Sequence, residues 1–312
     1  MEEPFYMQDE FPENMSSTDG MKIICGKDET GITCLPDEVY AEKDGMQLHL
    51  RMMFPTVLNT SHRYPAIFHI QGSGWSKQNL NCHMGHLAPL VRAGYAVIII
   101  EYRYAPLHRF PCQVEDGKTA IRFIMRNLDR FPVDTNNLYL SGDSSGGHTA
   151  MLMMATWHTM ECDAEKTELP ELNGCIDFYG SVNILTMNDA PTAFDHNAPH
   201  SASSQYLGFC PPENPEECSR RMPFYYIHEN TIMPPILIMH GSKDLVVPFT
   251  QSLELYQHMK GLGKDVEFYK VKNAGHGGNV FWCSATISVV LSFLNSKLLA
   301  PLEKQGNSRK AI

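Results

Sequence analysis

From Pro65 onward the chain alternates short apolar runs with helix-length segments, and this alternation constrains the fold more than any other feature of its 312 residues. The runs are AIFHI, AVIIIEY, LYLSG, GCIDFYG, PILIMHG and VEFYKV. Interleaved with them or following them are His83 to Ala93, Val114 to Asn127, Gly147 to Thr159, Phe249 to Lys260 and Val280 to Leu298. Continuous apolar strands are covered on both faces, so the pattern predicts a mostly parallel sheet between helices, an α/β fold. Ahead of it, Val39 to Ala41 and Gln47 to Phe54 flank Lys43-Asp44-Gly45, and Asp-Gly between apolar runs predicts an antiparallel hairpin. The interval Ser181 to Pro234 breaks the rhythm with clusters of Asn, Pro, Ser and Glu; it reads as an insertion, either a lid or a peripheral excursion. The chain therefore divides into an N-terminal segment over 1–38, an α/β domain over 39–300 with its insertion at about 181–234, and a tail over 301–312.

Composition narrows the function classes. Hydrophobic residues at 43% and charged residues at 19% suit a globular chain. Thirty-five acids against 25 bases give a net charge of −10, which repels phosphate backbones and anionic lipid, so neither nucleic acid nor a membrane surface is expected as partner. Apolar runs such as Ala96 to Ile100 are strand-sized, far short of the roughly 20 residues that span a bilayer. The opening MEEPFYMQDEFPENM lacks the basic and apolar regions of a secretory signal, so a cytoplasmic protein is expected. Nine cysteines without a C-x-x-C pair point to reduced thiols. A homodimer is compatible with the sequence, but no interface is visible in it.

The chemistry gathers around Leu138 to His148, where a strand runs through Gly142-Asp143-Ser144-Ser145-Gly146 into a helix. A tight strand-to-helix turn of the G-x-S-x-G type projects its serine from the sheet edge at a helix N-terminus, where the dipole favours developing negative charge. A serine hydroxyl near neutral pH needs a base, and the base needs an orienting carboxylate. Asp244 follows the strand ILIMH, and His276 sits in the turn NAGHGG before the last helix. The chain order Ser144, Asp244, His276 is that of a nucleophile, acid and base set on such a sheet. Oxyanion donors are expected from the loop Gln71-Gly72-Ser73-Gly74-Trp75 through the N–H groups of Ser73 and Gly74, with that of Ser145 beside the nucleophile.

Other residues carry weaker signals. Trp75 and Trp282 follow the oxyanion and histidine loops, so each is a candidate wall of a substrate pocket, with core packing as the equal alternative. Cys82, His83 and His86 lie near a helix start without a carboxylate or further ligands, so no metal site is expected. Glu101, Arg103, Glu115 and Asp116 read as a structural ion network. Phe5, Tyr6 and Phe11 belong to an N-terminal segment that reads either as part of a cap or as a disordered tail.

These motifs resemble the α/β-hydrolase esterases of the hormone-sensitive-lipase-like group, above all their bacterial acetyl and feruloyl esterases. GDSSGGH resembles the GDSAGG elbow of that group, EYRYAP and FPCQVEDGKTAIRF resemble its EYR-x-AP and FP-x-Q-x-ED-x-K stretches, and HGSKDLVVP and NAGHG resemble its acid and histidine motifs. The resemblance runs from about Val39 to Leu298. It departs at QGSGW, where Gln71 and Ser73 replace the first histidine and middle glycine of His-Gly-Gly-Gly-Trp. The resemblance implies a mostly parallel eight-stranded sheet with helices on both faces and a lid or insertion after strand 6. It also implies Ser144, Asp244 and His276 as catalytic residues, no cofactor, and a serine carboxylic-ester hydrolase acting on short-chain acyl, especially acetyl, or feruloyl esters. The substrate is then a small molecule or a glycan ester, plant polysaccharide included. The alternatives are an amide hydrolase of the arylformamidase or peptidase kind and, in a different class, a non-catalytic ligand-binding module on the same fold.

Overall fold

The hairpin at Asp44-Gly45 begins the architecture. Both residues have positive φ, 51° and 75°, the backbone of a type I′ turn that pairs Lys43 with Met46. The computed structural model describes residues 11–25, 30–56 and 62–299; Phe5, Tyr6 and the 301–312 tail lie outside them. Residues 11–25 are exposed throughout.

Among the described residues, nine strands form the sheet: β1 (Ile32–Cys34), β2 (Glu38–Lys43), β3 (Met46–Pro55), β4 (Tyr64–Ile70), β5 (Ala96–Ile100), β6 (Val133–Asp143), β7 (Gly174–Phe178), β8 (Ile236–Gly241) and β9 (Val266–Val271). β1 and β2 pair with opposite halves of one edge of β3, whose other edge pairs with β5, so the strands fill eight columns. From there the order is β5-β4-β6-β7-β8-β9, and every pairing among these is parallel. β1 has three residues and no apolar alternation, which left it unread in the sequence.

Among the described residues there are seven α-helices: α1 (Met84–Arg92), α2 (Cys112–Arg126), α3 (Ser145–Ala155), α4 (Ala202–Leu207), α5 (Pro215–Ser219), α6 (Thr250–Gly261) and α7 (Ser284–Ser296), of which all but α4 and α5 flank the sheet. Successive strand residues point to opposite faces, and the core follows that period. Phe68, Ile98, Leu140 and Ile238 pack with Ile121 of α2, Met151 of α3 and Leu255 of α6. Their neighbours Ile67, Val97, Tyr139 and Leu237 pack with Leu90 of α1 and Phe293 of α7. Burial on both sides is why β5 and β7 contain only buried residues.

The insertion after β7 contains α4, α5 and three single 3-10 turns, with no strand among its described residues. It has an apolar cluster of its own, in which Ile184, Tyr206, Leu207, Cys218 and Met222 close on Trp75 and Ala105. The acidic cluster of the sequence divides. Arg103 binds Asp116 through its side chain at 2.8–3.1 Å and also reaches Asp44 and Glu115, tying the hairpin to α2. Glu101 instead accepts from the backbone and ring of His49. All nine cysteines are free.

Candidate active site

β6 enters α3 through a turn in which side chains on the flanking glycines are excluded by backbone. A Cβ on Gly142 would strike the Gly146 carbonyl, and one on Gly146 would strike the Ile70 carbonyl of the neighbouring strand. The closeness forces Ser144 into φ 52° and ψ −125°, a strained conformation for a residue with a side chain, held by its N–H bond to the Phe178 carbonyl at 2.9 Å. α3 starts at the next residue, two residues earlier than the sequence pattern suggests, and is buried along its whole length.

The ends of two more strands bring partners to this serine. His276 Nε2 stands 2.8 Å from Ser144 Oγ, and His276 Nδ1 stands 2.8 Å from Asp244 Oδ2. Asp244 Oδ1 accepts the N–H groups of Val246 and Val247 at 2.8 and 2.9 Å, which fixes the plane of the carboxylate. A second histidine, absent from the sequence reading, completes its shell. His240 is fully buried at the end of β8, with Nε2 2.9 Å from the Val247 carbonyl and 3.2 Å from Asp244 Oδ2. Two oxygens facing Nε2 require the proton there, so His240 donates toward the acid while Nδ1 takes the hydroxyl of Ser252 at 2.7 Å. Burial alone would raise the Asp244 carboxyl, but the bonds from His240 and His276 outweigh it and hold the group well below the usual carboxylate range. The four-residue spacing from His240 to Asp244 was the available signal, hidden because His240 reads as the end of an apolar strand.

The loop after β4 differs from expectation in one donor. The N–H of Ser73 points to the side-chain oxygen of Ser145 at 3.0 Å, joined there by the N–H of Trp75 at 3.1 Å, while that of Gly72 goes to Asp143 Oδ1 at 2.9 Å. The reason is chemical: Ser145 adds a hydroxyl at the position after the nucleophile, and that acceptor captures the loop. Among the described residues, the N–H groups of Gly74 and Ser145 remain without a hydrogen-bond partner. Ser73 Oγ donates to the Ser76 carbonyl at 2.6 Å and accepts from the Tyr102 hydroxyl at 2.9 Å. Gln78, also missed in the sequence, bridges the Gln71 carbonyl and the N–H of Tyr102 from a buried position.

Both candidate pocket tryptophans are packing residues. Trp75, 2% exposed, stacks on Tyr206 at 4.2 Å and meets His148 edge-on, so it seats the insertion on the sheet. Trp282 is buried in the core and stacks on His86 at 5.4 Å. Tyr179, unread in the sequence, lies edge-on against the His276 ring at 4.9 Å. The insertion touches both sides of the serine: Thr192 and Ala193 bond to the Leu245 carbonyl in the acid loop, and a Cβ on Gly74 would stand 3.2 Å from Ala202 of α4. Of the three residues near the start of α1, Cys82 is exposed and His83 turns toward His69 and Asp143.

Beneath the turn, Asp177 is fully buried and accepts one bond, from the Gly180 N–H at 3.1 Å. Burial, which the Gly180 bond only partly offsets, and the nearby Asp143 charge push its carboxyl up to about 7. The native state then holds a proton that the unfolded chain releases near pH 4. The stability this contributes is complete below about pH 4 and lost as pH rises through about 7. Asp177→Asn, which imitates the neutral acid, should flatten the fall of Tm between about pH 4 and pH 8 in calorimetric scans; a slope equal to that of the unmodified protein would mean Asp177 is ionised throughout.

Comparison with known proteins agrees with this architecture. The chain is similar to esterase LipC of Mycobacterium tuberculosis, 26% identical over 68% of this chain and 53% of the relative, and to the probable carboxylic ester hydrolase LipM of the same organism, 24% identical over 72% and 52%. It thus spans about half the length of these curated relatives. Among solved structures, a truncated carbohydrate esterase from gut microbiota superposes with a TM-score of 0.76 at 24% identity, covering 87% of this chain and 98% of that one. Esterase B of Lactobacillus rhamnosis superposes at 0.72 with 18% identity, over 85% and 84%. The fold is that of the α/β-hydrolases, and because the BD-FAE family model matches residues 52–259, about two thirds of the sequence, the chain belongs to the BD-FAE family.

Proposed function

We propose that this protein is a serine carboxylic-ester hydrolase working through an acyl-enzyme on short acyl esters, acetyl foremost, or feruloyl esters, those of glycans included. One observation carries the reading: a single imidazole sits 2.8 Å from the Ser144 hydroxyl on one side and 2.8 Å from a buried, ionised carboxylate on the other. His276 takes the serine proton as Oγ attacks the ester carbonyl, Asp244 holds the tautomer with the lone pair on Nε2 and stabilises the imidazolium, and His276 returns the proton to the leaving alcohol. Water then repeats the sequence on the acyl-enzyme. The open N–H groups of Gly74 and Ser145 are the donors for the oxyanion, and of the three expected donors only that of Ser73 drops out. Family membership and the esterase names of its relatives support the reading, and the contacts of 181–234 with both the acid and oxyanion loops support a role as cap.

Initial rates on p-nitrophenyl esters from acetate to octanoate, with methyl ferulate and a matched anilide, test this. A steep preference for acetate or ferulate with no anilide turnover is expected; turnover confined to the anilide would move the chemistry to amides. The Ser145 hydroxyl offers a finer test, since it holds two N–H groups of the loop that carries Gly74. Ser145→Ala should lower kcat about tenfold to a hundredfold with little change in KM, because misplacing a donor by about 1 Å costs transition-state binding on that scale. An unchanged kcat would show that the loop is held without it. Among the described residues no helix is long and apolar enough to cross a membrane.

A further inference from the structure

Three polar atoms from three elements converge behind the nucleophile turn. His69 Nε2, fully buried on β4, lies 3.2 Å from Nδ1 of His83, the N-cap residue of α1. The two nitrogens lie 3.5 and 3.4 Å from Asp143 Oδ1. Hydrogen bonding accounts poorly for this nearly equilateral triangle. His69 Nδ1 faces Ser141 Oγ at 3.2 Å; if it donates there, Nε2 is a bare lone pair, and if it accepts there, Nε2 carries a proton, so with His83 at most two protons serve the three edges. Bonds from a ring N–H to a carboxylate run at about 2.7–2.9 Å, and both nitrogen-to-oxygen edges are longer. The edges fit another geometry: nitrogen and oxygen ligands about 2.0–2.1 Å from a tetrahedral zinc stand roughly 3.3–3.4 Å apart.

We propose that His69 Nε2, His83 Nδ1 and Asp143 Oδ1 form three corners of a site for a divalent transition cation, zinc being the ion of best fit, with water at the fourth corner. Two of the ligands are oriented from behind, as metal ligands are: His69 by Ser141, and Asp143 by the N–H of Gly72 at 2.9 Å. His83 is half-buried and gives the ion a way in. Next to it the buried Nδ1 of His86 has no hydrogen-bond partner among the described residues, a second sign that this corner is short of a polar group.

The test uses the full chain stripped with a chelator and titrated with zinc alone by calorimetry, then with cobalt as a spectroscopic probe. One equivalent per chain is expected, with a tetrahedral cobalt spectrum that lacks a thiolate charge-transfer band. Zinc should raise Tm. His83→Ala should weaken binding about 100-fold or more and remove the rise in Tm, with His83→Gln as the replacement if the alanine form does not fold. Cys82→Ser should bind as the unmodified protein does. Absence of saturable binding, equal affinity in the His83 variants, or a thiolate band lost in Cys82→Ser would each overturn the proposal. None of these readouts depends on turnover, so the outcome is independent of the esterase reading.

Discussion

Ser144→Ala should lower kcat on p-nitrophenyl acetate by about 10⁴- to 10⁶-fold while leaving the protein folded. The size follows from the geometry: Oγ is the atom 2.8 Å from the base, and no neighbouring hydroxyl can replace it, because Ser145 Oγ is occupied by the N–H groups of Ser73 and Trp75. The fold should persist because the strained φ of 52° at Ser144 is imposed by Gly142 and Gly146, which the variant keeps, and is no worse for alanine than for serine. Labelling with a serine-reactive phosphonate should stop in parallel. Turnover within about tenfold of the unmodified enzyme, at matched purity, would remove Ser144 from the mechanism.

Asp244→Asn should lower kcat by about 10⁴-fold, with the loss in kcat and not in KM. Oδ2 of Asp244 receives His276 Nδ1 and faces the proton on His240 Nε2, while Oδ1 receives the N–H groups of Val246 and Val247. Four donors thus point at two oxygens. An asparagine must turn its NH₂ toward one pair or the other. Turned toward the histidines, it leaves His276 with a lone pair on Nδ1 and a proton on Nε2, the tautomer that cannot accept from Ser144. Turned toward the backbone, it sets donors against two buried N–H groups and loosens the acid loop. Single-turnover acylation with an activated ester separates the cases: the first slows acylation at unchanged Tm, the second slows it and lowers Tm together. Acylation at the rate of the unmodified enzyme would show that the carboxylate does not orient His276.

Much of this site could be read along the chain because its parts are local. Asp44-Gly45 is a turn by its own dihedral preferences, AVIII is a buried strand because every residue in it is apolar, and Gly142 to Gly146 is an elbow because only glycine fits at its two ends. The order Ser144, Asp244, His276 was legible for the same reason, since each residue follows its own strand, and the structure brings the three together. β1 was not legible, because three residues acquire strand identity only from the edge of β3 that they complete.

The unread remainder depends on distances between segments far apart in sequence. His240 becomes a support for Asp244 only when the acid loop folds back over the end of β8. Ser73 gives up its N–H to Ser145 across more than seventy residues of chain, which no motif in QGSGW foretells. Trp75 and Trp282 are identical in character to pocket residues until the insertion and α7 close over them. His69 and His83 meet Asp143 only through the register of β4 against β6, which sets Ile70 beside Gly142. Turns, strands and the succession of reactive residues are therefore properties of local sequence, because backbone dihedrals and apolar periodicity act over a few residues. The choice of oxyanion donors, the second histidine on the acid, the fate of the tryptophans and the His-His-Asp triangle belong to tertiary packing, because hydrogen bonds and metal ligation are decided within a few tenths of an ångström, a tolerance that sequence spacing does not encode.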